Sequence, residues 1–142
     1  MPITQAMVTS FKVALLNAEM DFSADTVTTF KMALYTSAAT LDATTTAYTV
    51  TDEVVGTGYT AGGNTLTIAQ HPTSLGTTAF LDFVDVTWAT ATITARGAMI
   101  YNADTGAAVA VLDFGADITS TGGNFAIQFP VADATNAILR LG

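Results

Sequence analysis

The rhythm of apolar residues changes once along this chain, near residue 28, and does not change back. Ahead of that point, in TQAMVTSFKVALLNAEM (residues 4–20), Met7, Phe11, Leu15 and Ala18 recur at spacings of four, four and three, the single apolar stripe of a helix. Thr4 is placed to cap this helix, with Pro2 just ahead and Asp21 just beyond its end. Beyond it, in TTFKMALYT, Phe30, Met32 and Leu34 alternate with Lys31, Ala33 and Tyr35, which is the two-residue period of a strand. Further strands are expected at short, fairly even spacing, at about residues 48–55, 65–70, 78–88, 92–101, 107–114, 124–130 and 136–141. Between them stand turn residues, HPTSLG at 71–76, NADTG at 102–106 and STGG at 120–123, while SAATLDATTTA at 37–47 reads as a loop. NADTG between two apolar runs predicts a hairpin, because Asp and Gly tolerate the backbone angles of a tight reversal. No second helical pattern is present to carry a crossover between parallel strands. The expected fold is therefore mainly β: an antiparallel β-sandwich or jelly-roll-like domain over residues 23–142, preceded by a short amphipathic helical arm over residues 1–22.

Charge and composition narrow the partners. Of 142 residues, 11% are charged and half are hydrophobic, and Thr alone supplies about a fifth of the chain. Soluble domains average about 25% charged residues, so few ionic groups remain to cover this surface. A weakly ionic surface of small residues suits close packing against copies of itself or another protein. The formal charge is −8, and the four cations, Lys12, Lys31, Arg96 and Arg140, are scattered singly. Phosphate backbones are bound by clustered Lys and Arg, so neither nucleic acid nor an anionic membrane is an expected partner. No stretch approaches the ~18 continuous apolar residues of a membrane span, and the N-terminus lacks the basic start and apolar run of a secretory signal. The chain has no cysteine, hence no disulfide framework and no thiolate metal site.

The stretch VVGTGYTAGGNTLT, residues 54–67, superficially resembles a phosphate-cradling loop. Such a loop needs a helix after its last glycine, so that the helix N-terminus meets the phosphates, and a P-loop also needs Lys followed by Ser or Thr. Here NTLTIAQ follows Gly63 and reads as a strand. These glycines are expected to shape a wide loop between strands, with Tyr59 as its one bulky residue, and no nucleotide or other cofactor is expected.

Catalytic constellations fail by count. The one histidine, His71, falls in QHP and is expected in a solvated turn, and no hydroxyl lies in a strained GxSxG setting. Asp82 and Asp85 in LDFVDV, with Asp113 and Asp117 in LDFGAD, are hard oxygen donors of the kind calcium takes. Asp82 and Asp85 fall on opposite faces of a strand, however, and no DxDxDG-type loop is present, so no metal site is assigned. A glycosidase would need two carboxylates about 5–10 Å apart across a cleft, and few aromatics are available to line one. Trp88 is expected to be buried, in the core or an interface, rather than displayed as a sugar-stacking platform.

The succession SFKVALLNAEMDFS, TFKMALYTSAATLDATTTAYT, EVVGTGYTAGGNTLT, TAFLDFVDVTWATATITARGAMIYNADT, AVAVLDFG and FAIQFPVADATNAILRLG, over residues 10–142, resembles small virion structural proteins of tailed bacteriophages. These are packing and turn signatures, and no catalytic motif is carried over with them. The resemblance implies a non-enzymatic decoration or cement protein on the outside of the capsid, made in the bacterial cytoplasm and located in the virion. It implies the major capsid protein and further copies of this chain as partners, with a trimer as the preferred arrangement. Phe11 and Leu15 on the helical arm, together with Tyr59 and Trp88, are the interface candidates. Two alternatives stand beside this reading: a tail or fibre module that binds a receptor or carbohydrate through Tyr48, Tyr59 and Asn64, and a small hydrolase with an unrecognised carboxylate pair.

Overall fold

A computed structural model describes residues 3–142. Pro2 and the start of the expected arm lie outside the described residues. The period-two segments form strands as expected, and every ladder between named strands is antiparallel. The elements are β1 (Ala6–Met7), α1 (Thr9–Leu16), β2 (Phe30–Tyr35), β3 (Asn64–Leu66), β4 (Ile68–Leu75), β5 (Thr78–Phe83), β6 (Val86–Asn102), β7 (Ala108–Ile127) and β8 (Leu139–Leu141). They build two open sheets, one in the order β1-β7-β6-β2-β3 and one in the order β4-β5-β8.

The β6–β7 hairpin is the spine of the fold. Its turn is the NADTG segment: the Asn102 side chain accepts from the Asp104 amide at 2.9 Å, and the Gly106 amide closes back on the Asn102 carbonyl at 2.7 Å. Gly106 holds φ of 83°, a value that favours glycine. Three separate strands, 92–101, 107–114 and 124–130, and the end of a fourth, 78–88, were expected across this region; two long ones are present instead, and 78–88 divides between β5 and β6 at residues 84–85. The TWATA segment does not break β6, because a bulge at Trp88–Ala91 takes up the irregularity, with Thr90 at φ of 49°. Likewise STGG does not reverse the chain: it lies within β7, opposite Ala91 and Ile93, where Gly122 at φ of 67° accommodates the shifted register.

These shifts, with a third between Ala95 and Gly97 opposite Gly115, coil the hairpin strongly. Phe114 and Phe125 stand eleven positions apart on β7, roughly 36 Å along a straight strand. Their ring centroids are nevertheless 6.4 Å apart. Trp88 packs edge-on to Phe125 in the same cluster, with centroids 6.2 Å apart.

Other expected boundaries also move. Residues 71–75 of HPTSLG belong to β4, and the reversal waits for Gly76 at φ of 62°. His71 is accordingly a half-buried strand residue, not a solvated turn residue. Residues 48–55 form no strand, although Glu53 makes an isolated bridge to Tyr35. Of 136–141 only Leu139–Leu141 is extended and paired.

The N-terminal segment departs furthest from the expected arm. Ala6 and Met7 pair with Val111 and Ala110 as the edge of the large sheet, so the helix begins only at Thr9. Thr4 caps nothing: its amide bonds the Leu41 carbonyl at 2.8 Å, and the N-cap residue is Val8, without a side-chain bond. The helix ends in a Schellman arrangement, Glu19 N–H to Ala14 at 2.8 Å and Ala18 N–H to Leu15 at 3.2 Å. Ala18 takes the left-handed position, at φ of 58°.

The helix docks on its own chain. Phe11 packs edge-on to Phe22 at 5.9 Å, Phe22 stacks on Phe30 of the large sheet at 4.4 Å, and Phe30 lies 6.3 Å from Phe83 of the small sheet. Both Phe11 and Phe22 belong to the same buried cluster as β2, β6 and β7. Residues before 23 therefore share a core with those after it, and the boundary expected at residue 22 falls inside that core.

Candidate functional site: a buried carboxylate held by the tyrosines and the glycine loop

Glu53 is the one carboxylate among the described residues that is fully buried, at 6% exposure. Its position is set by the backbone on either side. The Val54 amide bonds the Leu34 carbonyl at 2.9 Å, and the Thr36 amide bonds the Asp52 carbonyl at 3.0 Å, clamping residues 52–54 to the end of β2. The clamp turns the Glu53 side chain inward.

There three donors converge on it. The Tyr48 hydroxyl donates to Oε1 at 2.6 Å, and the Tyr59 hydroxyl and Gly62 amide donate to Oε2 at 2.6 and 2.8 Å. The remaining two tyrosines complete the surround. Tyr101 donates to the Gly62 carbonyl at 2.7 Å and stacks on Tyr48 at 4.6 Å, while Tyr35 donates to the Thr49 carbonyl at 2.7 Å. The Tyr59 oxygen also accepts from the Leu34 amide at 2.8 Å, which ties the network to β2. All four tyrosines of the chain are thus spent around one carboxylate.

Burial raises the pKa of all four phenols, and for Tyr48 and Tyr59 the hydrogen bond to Glu53 raises it further. Neutral phenols are donors, so the shift and the geometry agree: the hydroxyls keep their protons and solvate the carboxylate in place of water.

The glycine-rich stretch owes its composition to this arrangement. Residues 57–64 run beside β6, with the Thr92 amide on the Thr57 carbonyl at 2.9 Å and the Asn64 side-chain amide on the Thr87 carbonyl at 3.0 Å. At Gly63, with φ of 76°, an added Cβ would stand 1.7 Å from the Met32 carbonyl oxygen, so only glycine lets the loop lie against β2. Gly62, at φ of 98°, points its amide at Glu53. The loop does present an N–H group to an anion, as phosphate loops do, but the anion is a side chain of the same protein.

The residues singled out in the sequence do not come together as a site. Phe11 and Trp88 are buried at 3% and 2% exposure, inside the chain and out of a partner's reach. Leu15 and Tyr59 are half-buried. Leu15 lines an apolar recess of about 130 Å³ with Phe11, Phe22, Phe80 and Leu139. Tyr48, Tyr59 and Asn64, the residues of the carbohydrate-binding alternative, have their polar groups engaged internally.

His71 places Nδ1 2.9 Å from the Phe22 carbonyl, so that nitrogen donates, holding β4 to the segment after the helix. The four aspartates go separate ways. Burial raises the Asp82 pKa, and its Oδ1 has no partner among the described residues. Asp85 accepts from the Phe129 amide at 2.8 Å, and Asp117 is exposed. Asp113 lies below the usual carboxylate range, chiefly through the Gly115 amide at 2.9 Å, with Arg96 at 3.3 Å as a further cause. Among the described residues no three metal-ligating side chains gather, and no helix is long and apolar enough to cross a membrane.

Sequence reasoning missed Glu53. The available signal was an acid in TDEVV, next to Asp52, between Tyr48 and Tyr59 and just ahead of the glycines; what hid it was that the segment forms a loop and not the expected strand, so no strand period marks Glu53 as inward-facing. No protein-family model, curated protein or solved structure matches the chain.

Proposed function

We propose that this protein is a non-enzymatic structural component of a bacteriophage virion, a decoration protein that binds the outside of the capsid and stabilises the joints between shell subunits. The observation that carries the reading is the use to which the chain puts its strongest polar groups. One buried carboxylate and four tyrosines are closed on one another, cross-linking β2, the glycine loop and β6. That investment favours rigidity, which a cement protein needs where packaged DNA pushes outward.

The two open sheets, joined through Phe22, Phe30 and Phe83, are read as a sandwich-type body. The surface is weakly ionic and carries scattered exposed apolar side chains, among them Val27, Val55, Leu16 and Val131, suited to many modest contacts repeated around a symmetric shell. The testing experiment is the copy number of this protein in purified particles, by quantitative mass spectrometry against the major capsid protein. A simple, sizeable fraction of the shell subunits is expected. A handful of copies per particle would instead move it to the tail, and absence from particles would end the virion reading.

A further inference from the structure

A sheet edge is a row of unpaired backbone donors and acceptors, and natural proteins shorten it, cover it, or place Pro, Lys or a bulge on it. Most edges here are managed in those ways. β1 has two residues, and β3 and β8 have three each. β4 has eight, but Pro72 sits on it and its register is broken twice.

The outer edge of β7 carries bulges on either side of Ile118–Ser120, but between them it has no Pro, no Lys and, among the described residues, no covering strand. β1 covers it only at Ala110 and Val111, and Gln5 Oε1 meets the Asp113 amide at 3.2 Å. From Ala116 to Asn124, no hydrogen bond among the described residues joins that outer edge to another segment. The stretch reads ADITSTGGN: no Pro, no Lys or Arg, and one acid, Asp117, in a chain of net charge −8. Between Gly115 at φ of 81° and Gly122 at φ of 67°, Ala116–Thr121 is free of left-handed residues. Ile118, 45% exposed, is its one large apolar side chain.

We propose that this edge pairs with the same edge of a second copy, antiparallel about a twofold axis at Ile118, so that the two large sheets run on as one. Three features select a second copy as the occupant. Unpaired strand backbone is satisfied by another strand. An antiparallel twofold lets one edge serve both partners. In this register Ile118 faces its counterpart and Asp117 faces Thr119, so the only acids of the segment do not oppose each other, and a chain that repels itself elsewhere meets where its charge is least. The inference is independent of the virion reading, and it replaces the threefold arrangement that the phage resemblance implies with a twofold one.

The test exploits the absence of native cysteine. Sedimentation of the wild-type chain at about 100 µM is expected to give twice the 14.6 kDa chain mass, a concentration that populates even micromolar dimers. Ile118→Cys should form a covalent dimer under mild oxidation, since Cα atoms of directly opposed antiparallel residues lie about 4.5–5.5 Å apart, within disulfide reach. Ser37→Cys, on an exposed loop, should not. Ile118→Lys should be monomeric at the same concentration with an unchanged circular dichroism spectrum, melting below the dimeric wild type there but together with it once both are diluted to monomers. A wild-type monomer or trimer would overturn the proposal. So would a dimer that Ile118→Lys leaves intact, or cross-linking at Ile118→Cys no stronger than at the control.

Discussion

Replacing Glu53 with Ala removes the acceptor of three hydrogen bonds at once and leaves the donors in place. Tyr48 is half-buried, and its hydroxyl can turn to water, so its loss is an ordinary net hydrogen bond of about 1 kcal/mol. The Gly62 amide is buried, and the Tyr59 hydroxyl is pinned by the Leu34 amide and cannot follow it out. Each orphaned donor costs about 1–3 kcal/mol. Part of the sum is returned because a charge no longer has to be held in the interior. The net expectation is a loss of about 3–5 kcal/mol, or about 10–15 °C in Tm for a domain of this size.

Glu53→Gln separates acceptor number from charge. Its amide oxygen can take the Tyr59 and Gly62 donors while its NH2 group donates to Tyr48, whose hydroxyl rotates to accept, so a loss of about 1–2 kcal/mol is expected. Urea unfolding of wild type, Glu53→Ala, Glu53→Gln and Tyr48→Phe at neutral pH measures all four. A Glu53→Ala cost below about 1 kcal/mol would refute the claim that the carboxylate organises the core. Equal damage from Ala and Gln would show that charge, not the count of acceptors, is what matters.

Three further outcomes follow from single positions. Ala18→Gly should stabilise by about 0.5–1 kcal/mol in the same unfolding experiment, because Ala18 occupies the left-handed C-cap at φ of 58° and the strain relieved there exceeds the added freedom of the unfolded chain; an equal or lower midpoint would contradict the Schellman reading. Gly63→Ala should cost about 3 kcal/mol or more, visible as loss of soluble folded protein, since its Cβ would meet the Met32 carbonyl oxygen in a φ region alanine avoids. The Asp82 pKa is raised, so the native state holds its proton more tightly than the unfolded one, and the ionised form destabilises at neutral pH. Asp82→Asn should therefore raise Tm at pH 7, with the gain shrinking as the pH falls through the carboxylate range; a gain that persists unchanged in acid would assign the effect to something other than ionisation.

What could be read from the sequence was local. The alternation of Phe30, Met32 and Leu34 marked β2, and NADTG marked the hairpin turn, because both signals lie within a few residues of their effect. What could not be read depended on distant partners. Met7 fits a helical stripe by spacing but is drawn into β1 by Ala110, more than a hundred residues away. Pro72 and the glycines of STGG are breakers in isolation, yet an edge strand tolerates the first and a bulge absorbs the second. The candidate site was legible least of all. Its acceptor, Glu53, lies in a loop where a strand was expected, and although its donors Tyr48, Tyr59 and Gly62 stand within nine positions of it, the groups that fix those donors, the Leu34 amide and the Tyr101 hydroxyl, come from β2 and β6.

The coiled β6–β7 hairpin also bears on the order in which the chain acquires its shape. Its inner pairs, Tyr101 with Ala108 and Ile100 with Ala110, close only a short loop and can form before any other part of the sheet. Its outer pairs, Trp88 with Phe125 and Val86 with Ile127, lie beyond three further breaks in register, after a first one between Tyr101 and Ile100. Zippering outward from the turn should therefore stall at Gly97, leaving a preformed platform on which β2 and then β1 assemble, with the outer hairpin and the Glu53 network completed late. Substitutions at Ile100 or Ala110 should slow refolding, whereas those at Phe125 should mainly speed unfolding, and the reverse pattern of rates would show that the nucleus lies elsewhere.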